Sequence, residues 1–246
     1  MNEVIKNIQS HRSIRSYTGE PVRDEDLQTI LKSAIHAPSS INGQQWSVIV
    51  VKDQAKKDRI AELTGGQEWI SKASVFLVFV MDYHRAAKQL EKAGIEFKNI
   101  NSIEAIMVGS VDVGLAFGNA MNAAESLGYA IVPIGAIRNE PYEMIKLLNL
   151  PKYVYPVLGM CIGVGATEQP LKPRLPYDVV VSDETYNADT DSAVAEYDET
   201  IRRYMMERSG GQDSSCWSDR VKQVYSKVYY PKVYDSLKQQ GFKNEC

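Results

Sequence analysis

The longest apolar pattern in the chain runs from about Ile103 to Leu127, and it is rich in small side chains: Gly109, Ser110, Gly114, Ala116, Gly118, Ala120, Ala123 and Ala124. A segment apolar on most of its sides reads as a buried core helix, and the other elements have to be laid around it. Glu104, Asp112, Asn119, Asn122 and Glu125 argue against a lipid setting. The small side chains would let another helix approach closely. A subunit interface and ordinary core packing account for them equally well.

Four strands are expected. Trp46 to Lys52 and Ser74 to Met81 are continuous β-branched and aromatic runs, so both faces of each should be covered. Ala130 to Ile134 and Val157 to Val164 supply the other two, the last closed by Gly163 and Gly165. Between them lie helical patterns. Residues 25–36 carry the stripe Leu27, Ile30, Leu31, Ala34 and Ile35, with Asp24 as the expected cap and Pro38 as the stop. Residues 55–63 form a charged helix, 84–100 a polar helical stretch, and Pro141 starts a short helix through Leu148. Past residue 166, Pro170, Pro173 and Pro176 keep the backbone extended. Two helical patterns follow, at about 191–207 and 217–238, the second interrupted by Pro231. The expected organisation is one domain over 1–246, with a core at 1–165 and, at 166–246, an extended arm with C-terminal helices. An arm with no core of its own fits a homodimer in which it embraces the partner.

The 246 residues are 44% hydrophobic and 24% charged, ordinary for a soluble globular protein. A formal net charge of −3 leaves no basic field for nucleic acid. No secretion signal and no unbroken apolar run long enough for a membrane span is read, which points to the cytoplasm. Cys161, Cys216 and Cys246 form no CxxC pair, as expected in a reducing compartment, and His11, His36 and His84 stand too far apart in sequence to suggest a metal site.

His11-Arg12-Ser13-Ile14-Arg15 packs two guanidiniums and an imidazole into five residues, after a short helical pattern at Val4, Ile5 and Ile8. Arginine offers a planar donor fork that suits phosphate, so the stretch reads as an anion clamp, or else as a solvated basic turn. Lys172-Pro173-Arg174 is a second basic cluster, on the proline-rich arm. Ser39-Ser40-Ile41-Asn42-Gly43-Gln44-Gln45 is a loop of hydroxyls and amides, and Thr64-Gly65-Gly66-Gln67 a turn that presents an amide or caps a helix. GxGxxG, the P-loop, GxSxG and HExxH are absent at the positions where they would carry chemistry.

In this order, these motifs resemble the FMN-dependent nitroreductase family, in its NADPH-preferring nitroreductase and flavin reductase branch. The likeness runs from His11–Arg15 through Thr64–Gln67, Ala123-Ala124-Glu125-Ser126-Leu127-Gly128 and Ile137-Arg138-Asn139 to Lys172-Pro173-Arg174-Leu175-Pro176 and Trp217-Ser218. It implies an α+β nitroreductase fold: a mostly antiparallel sheet flanked by helices, in an intertwined homodimer with exchanged C-terminal arms. It also implies FMN as cofactor and NADPH or NADH as co-substrate. The acceptors would be small molecules such as nitroaromatics, quinones, azo compounds or free flavin, reduced by ping-pong hydride transfer. A flavin-storage protein, or an enzyme using reduced FMN for another reaction, shares the same clamp.

The resemblance carries over residue by residue. His11, Arg12 and Ser13 would hold the phosphate and ribityl chain, and Lys172 and Arg174 would complete the phosphate site. Arg15 would lie near the N1/O2 edge of the flavin, where a cation favours the anionic reduced form. Ser39 would reach the cofactor of the partner subunit, Gln67 would bond the ring's rim, and the backbone of Pro133, Ile134, Gly135 and Ala136 would pass beside N5 and O4. Arg15, Ile134 and Gly135 would tune the flavin; no obligate catalytic side chain is nominated, because the hard chemistry belongs to the cofactor. Two departures stand out. Gly135-Ala136 replaces the usual Gly-Gly, and Pro133 sits where a tyrosine is common. Arg208 matches one arginine of the loop that grips the 2′-phosphate of NADPH, but Ser209 to Cys216 carries Asp213 and no cation, which leaves NADH use open.

Overall fold

Strands β1 (Trp46–Val51), β2 (Val75–Asp82), β3 (Ala130–Ile134) and β4 (Val154–Gly163) form one sheet in the order β1-β2-β4-β3, with every neighbouring pair antiparallel. They come from a computed structural model that describes residues 1–245; Cys246 lies outside the described residues. The described chain divides into two compact units, residues 1–169 with 232–245, and residues 170–231.

In the first unit, β2 is buried along its whole length. Side chains alternate along a strand, so Val75, Leu77, Phe79 and Met81 join one apolar cluster while Phe76, Val78 and Val80 join another. Helices α1 (Glu3–Gln9), α2 (Asp24–Ile35), α3 (Gln54–Leu63), α4 (Glu68–Lys72), α5 (His84–Lys92), α6 (Ile103–Ser126) and α7 (Pro141–Leu147) surround the sheet. Ile30 and Ala34 of α2, with Ala116, Phe117 and Ala120 of α6, cover the Leu77–Phe79 face. Ile60 of α3, Ile70 of α4 and Met144 of α7 cover the Phe76–Val78 face. The antiparallel sheet between helical layers is therefore as expected.

Several details differ from the sequence reading. β1 is an edge strand, half-buried or exposed at its inner positions, rather than covered on both faces. β4 starts at Val154 and passes through Pro156, which pairs with Val80 next to an irregularity at Phe79/Val80. Proline lacks the N–H a central strand needs; it is tolerated because β3 flanks β4 only from Gly159 to Gly163. Asp24 does not cap α2. Arg23 occupies the cap position without a side-chain capping bond, its guanidinium instead pairing with Asp26, and Asp24 pairs with Lys52 at 2.5 Å.

α6 is long and apolar enough to cross a membrane by length and composition, yet it packs against the sheet. Gly109 permits this: a Cβ there would sit 2.4 Å from Met81 Cγ and Sδ, so the glycine admits a strand side chain. The helix is not buried all round. Ile103, Met107, Val111 and Leu115, four residues apart, stand exposed along one face.

The second unit contains α8 (Tyr177–Val180), α9 (Asp191–Arg208) and α10 (Trp217–Tyr225), and a small cluster joins α9 to α10. Tyr197 is buried, its ring meeting Trp217 edge to face at 6.5 Å. The chain then re-enters the first unit as α11 (Val233–Gln239), so residues 232–245, read from sequence as part of the arm, return to the core. Gln240 Nε2 donates to Val154 O at 2.9 Å, Tyr153 N donates to Gln240 O at 2.8 Å, and Phe242 is buried.

Candidate active site

The His11–Arg15 stretch is extended and tied to the sheet. Ile14 N donates to Ile131 O at 2.9 Å, and Ser13 bridges Ile131 in parallel fashion, three residues upstream of Ile134. Further along, Thr18 N donates to Val164 O at 2.9 Å, and Tyr17 bridges Gly165. The Tyr17 ring lies where a Cβ on Gly163 would come within 2.7 Å, so glycine is required for this close approach. Burial raises the Tyr17 phenol well above its ordinary range, and burial does the same to the neighbouring Cys161 thiol; neither is an available nucleophile or acid.

Both basic residues of the stretch are exposed and lack a counter-charge. Arg12 donates to Ser10 O at 3.1 Å and Arg15 to Ser13 O at 3.4 Å; among the described residues neither reaches a carboxylate. Arg23, Arg59, Arg85 and Arg202 all do. Arg12 borders a cleft of about 390 Å³, shared with Asn7, Ser10, Glu125 and Thr167. Arg15 leans the other way, over the indole of Trp69 at 5.5 Å from the ring centroid. That brings it to the turn that carries Gln67, where Gly65 and Gly66 both adopt positive φ. Gln67 itself donates to Thr64 O at 3.0 Å, so one amide N–H caps α3 and the carbonyl oxygen is left for a ligand.

His11 points to the core helix. Its Nδ1 lies 2.6 Å from Glu125 Oε1, and both side chains are largely buried. Pro133 and Ile134 end β3, and Gly135 opens a short 3-10 turn through Arg138. Ala136 stays out of the left-handed region, so its methyl costs no backbone strain there. The structure thus places His11–Arg15 and Pro133–Ala136 along the β3 edge of the sheet, with His11 turned to α6 on one face and Arg15 turned to the Gln67–Trp69 segment on the other.

Ser39 is held apart from them. Its Oγ accepts from Gln44 N at 3.2 Å, and the next residue, Ser40, donates its N–H to Asp112 Oδ1 at 3.1 Å. Ile41, Asn42 and Gln44 all have φ above 50°. Asparagine tolerates this region, but Ile41 and Gln44 are strained there, and such strain concentrates at functional loops.

In the second unit, Lys172 and Arg174 are exposed, and Tyr197 OH donates to Pro173 O at 3.0 Å between them. Arg174 donates to Lys172 O at 3.1 Å. Arg208 is exposed at the end of α9. In the following loop, Ser209 Oγ accepts from Asp213 N at 2.8 Å, and Asp213 Oδ1 accepts from Ser215 N at 2.8 Å. The Ser215 hydroxyl, and after it the Ser215 N–H, hold the Asp213 carboxyl below the usual range. One oxygen of this carboxylate therefore builds the loop.

The donor set fits a phosphate-bearing ligand: guanidiniums without internal counter-charges beside a strand end and an amide. The nitroreductase family pattern matches residues 8–165, and that of the nitroreductase family, C-terminal domain, matches 172–245. The chain belongs to the nitroreductase family. It is 48% identical, over the full length of both chains, to an FMN reductase [NAD(P)H] of Bacillus subtilis. It is 35% identical to an oxygen-insensitive NADPH nitroreductase of Salmonella typhimurium, over 98% of this chain and 99% of that one. Among solved structures, NfrA2 of B. megaterium superposes with a TM-score of 0.98 at 46% identity over all of both chains. The fold is the nitroreductase fold.

The sequence reading passed over three residues that touch the candidate site residues or the Ser39–Ser40 loop. Trp69 lies two residues beyond Gln67, and only its ring's place under Arg15 marks it. Asp112 was noted for its charge alone, yet it holds the Ser39–Ser40 loop. Glu125 stands in one of the motifs that carried the resemblance, with no role attached to it.

Proposed function

We propose that this chain is an FMN-dependent NAD(P)H oxidoreductase that reduces small-molecule acceptors, among them nitroaromatics, quinones, azo compounds and free flavin. The observation that carries the assignment is the pair Arg12 and Arg15, exposed beside β3 and, among the described residues, without an acid partner. FMN, when bound, supplies the hydride-accepting and hydride-donating chemistry. The chain's residues bind and tune it. Arg12, with His11 and Ser13, takes the anionic end, and Lys172 and Arg174 add charge to it. Arg15, steadied by Trp69, places a cation at the edge where negative charge develops. Gln67 and the Pro133–Ala136 backbone line the rim.

The reading includes a homodimer. The exposed stripe Ile103, Met107, Val111 and Leu115 is an apolar face beside the strained Ser39–Ser40 loop. Pairing two such faces would bury it and carry Ser39 to the partner's cofactor, with residues 170–231 as the embracing element. A cytoplasmic setting, where NAD(P)H is regenerated and the thiols of Cys161 and Cys216 stay reduced, belongs to the same reading.

The names of the relatives favour a reductase over a flavin store. The name of the B. subtilis relative admits both nucleotides, which agrees with a loop holding Arg208 and no further cation up to Cys216. The decisive test is anaerobic titration of the yellow protein with NADPH and NADH. Bleaching of the flavin band supports the reductase, and a yellow protein that neither nucleotide bleaches would move the assignment to storage.

A further inference from the structure

Glu125 sits in the last turn of α6, where the helix presents its negative end. The helix end offers a negative side chain no complementary charge. Its side chain is 12% exposed, and Oε2 is buried with no hydrogen-bond partner in the protein. Among the described residues no lysine or arginine pairs with it; the contact it makes is Oε1 to His11 Nδ1, at 2.6 Å, across 114 residues of sequence. A partnerless position would have favoured glutamine or an apolar residue. The acid is accounted for by what it does to the imidazole.

An ionised carboxylate only accepts hydrogen bonds, so it keeps a proton on Nδ1. The ring's other nitrogen is then the one left for a ligand, and the ring plane is set by the contact. We infer that Glu125 is a positioning residue for the cofactor. It fixes His11 with Nδ1 protonated and turned inward, so that Nε2 meets the ribityl–phosphate part of FMN. The neutral ring offers a ribityl hydroxyl a lone pair at Nε2; the protonated ring offers a phosphate oxygen an N–H. Glu125 also borders the cleft that Arg12 lines. This inference rests on the reading that the chain binds FMN.

Two measurements test it. Long-range ¹⁵N–¹H spectra of the full-length protein, with and without FMN, report which ring nitrogen of His11 carries the proton. The resonance is assigned by its loss in His11→Gln, His36 and His84 being the other histidines. Nδ1 protonated in both states is expected, and a bare Nδ1 overturns the inference whatever the cofactor does. Second, FMN affinity is measured by fluorescence quenching for wild type, Glu125→Gln, His11→Phe and the double variant. Glu125→Gln should weaken binding about tenfold alone and leave it within twofold in the His11→Phe background, because the acid acts through the ring. Equal losses in both backgrounds, or no loss in the single variant, overturn the positioning role. A wild-type protein that binds no FMN would overturn the reading beneath it, an outcome separate from the tautomer result.

Discussion

The guanidinium of Arg15 lies over the indole of Trp69, 5.5 Å from the ring centroid. The aromatic face holds a charged group that would otherwise swing freely, and it does so without cancelling the charge, as a carboxylate would. A cation kept whole and kept still is what electrostatic tuning of a bound cofactor requires. Arg15→Gln is expected to lower the midpoint potential of bound FMN. Trp69→Leu should lower it less, because the cation stays but wanders. Anaerobic redox titration checks both, and an unchanged potential in Arg15→Gln would remove the residue from the flavin's edge.

Arg12 answers to affinity rather than potential. Charge-assisted hydrogen bonds contribute about 1.5–3 kcal/mol each. Arg12→Ala should therefore weaken FMN binding roughly ten- to hundredfold by that measure, with little change in melting temperature, since its bond to Ser10 O is local. Wild-type affinity in this variant would contradict the phosphate assignment.

Nucleotide choice should turn on the loop after α9. Arg208→Ala is expected to raise KM for NADPH several-fold and leave that for NADH nearly unchanged. Asp213→Asn can still accept the bond from Ser215 N, so the loop keeps its shape while losing a negative charge. It should lower KM for NADPH. Steady-state kinetics with both nucleotides separates these expectations, and equal shifts for the two would place the loop away from the 2′-phosphate.

Gly109 is a packing prediction independent of the site. An added methyl would meet Met81 at 2.4 Å on the buried face of α6. Overpacking of this kind costs about 1–3 kcal/mol. Gly109→Ala should lower the urea midpoint, whereas Gly114→Ala, with open space around its position, should raise it or leave it alone.

Alkaline pH should destabilise the fold through Tyr83. Burial raises its phenol from 10.0 to about 12, and its hydroxyl donates to Ala105 O at 2.7 Å. Above pH 10 the unfolded chain gives up this proton while the native chain keeps it, so the native state binds more protons and stability falls as pH rises. The contribution is whole below pH 10 and is lost as pH climbs toward about 12. Urea denaturation between pH 9 and 11 should show a steeper decline in wild type than in Tyr83→Phe.

Periodicity made most elements legible, because core-facing side chains repeat at the helix and strand periods. β2 and α6 end within a residue of where the apolar runs place them. Proline hid the start of β4: whether Pro156 fits depends on how far β3 extends, a non-local fact. The exposed stripe on α6 was invisible for a related reason, since Ile103, Met107, Val111 and Leu115 are as apolar as the buried side. In the site, residue types at quoted motifs pointed to the clamp. The contacts that orient it were not legible: Trp69 and Glu125 act through distance and direction, which a linear pattern does not carry.

The segment that holds the clamp has a second consequence for the molecule. An unpaired sheet edge is a template for another chain, and β3 is one of the two outer strands here. Residues 13 and 14 lie against its outer side through the bridge to Ile131. The stretch proposed to hold the cofactor therefore also covers part of the edge of β3. The same few backbone bonds that set the direction of Arg12 and Arg15 thus also decide how much of this sheet edge is open to another chain.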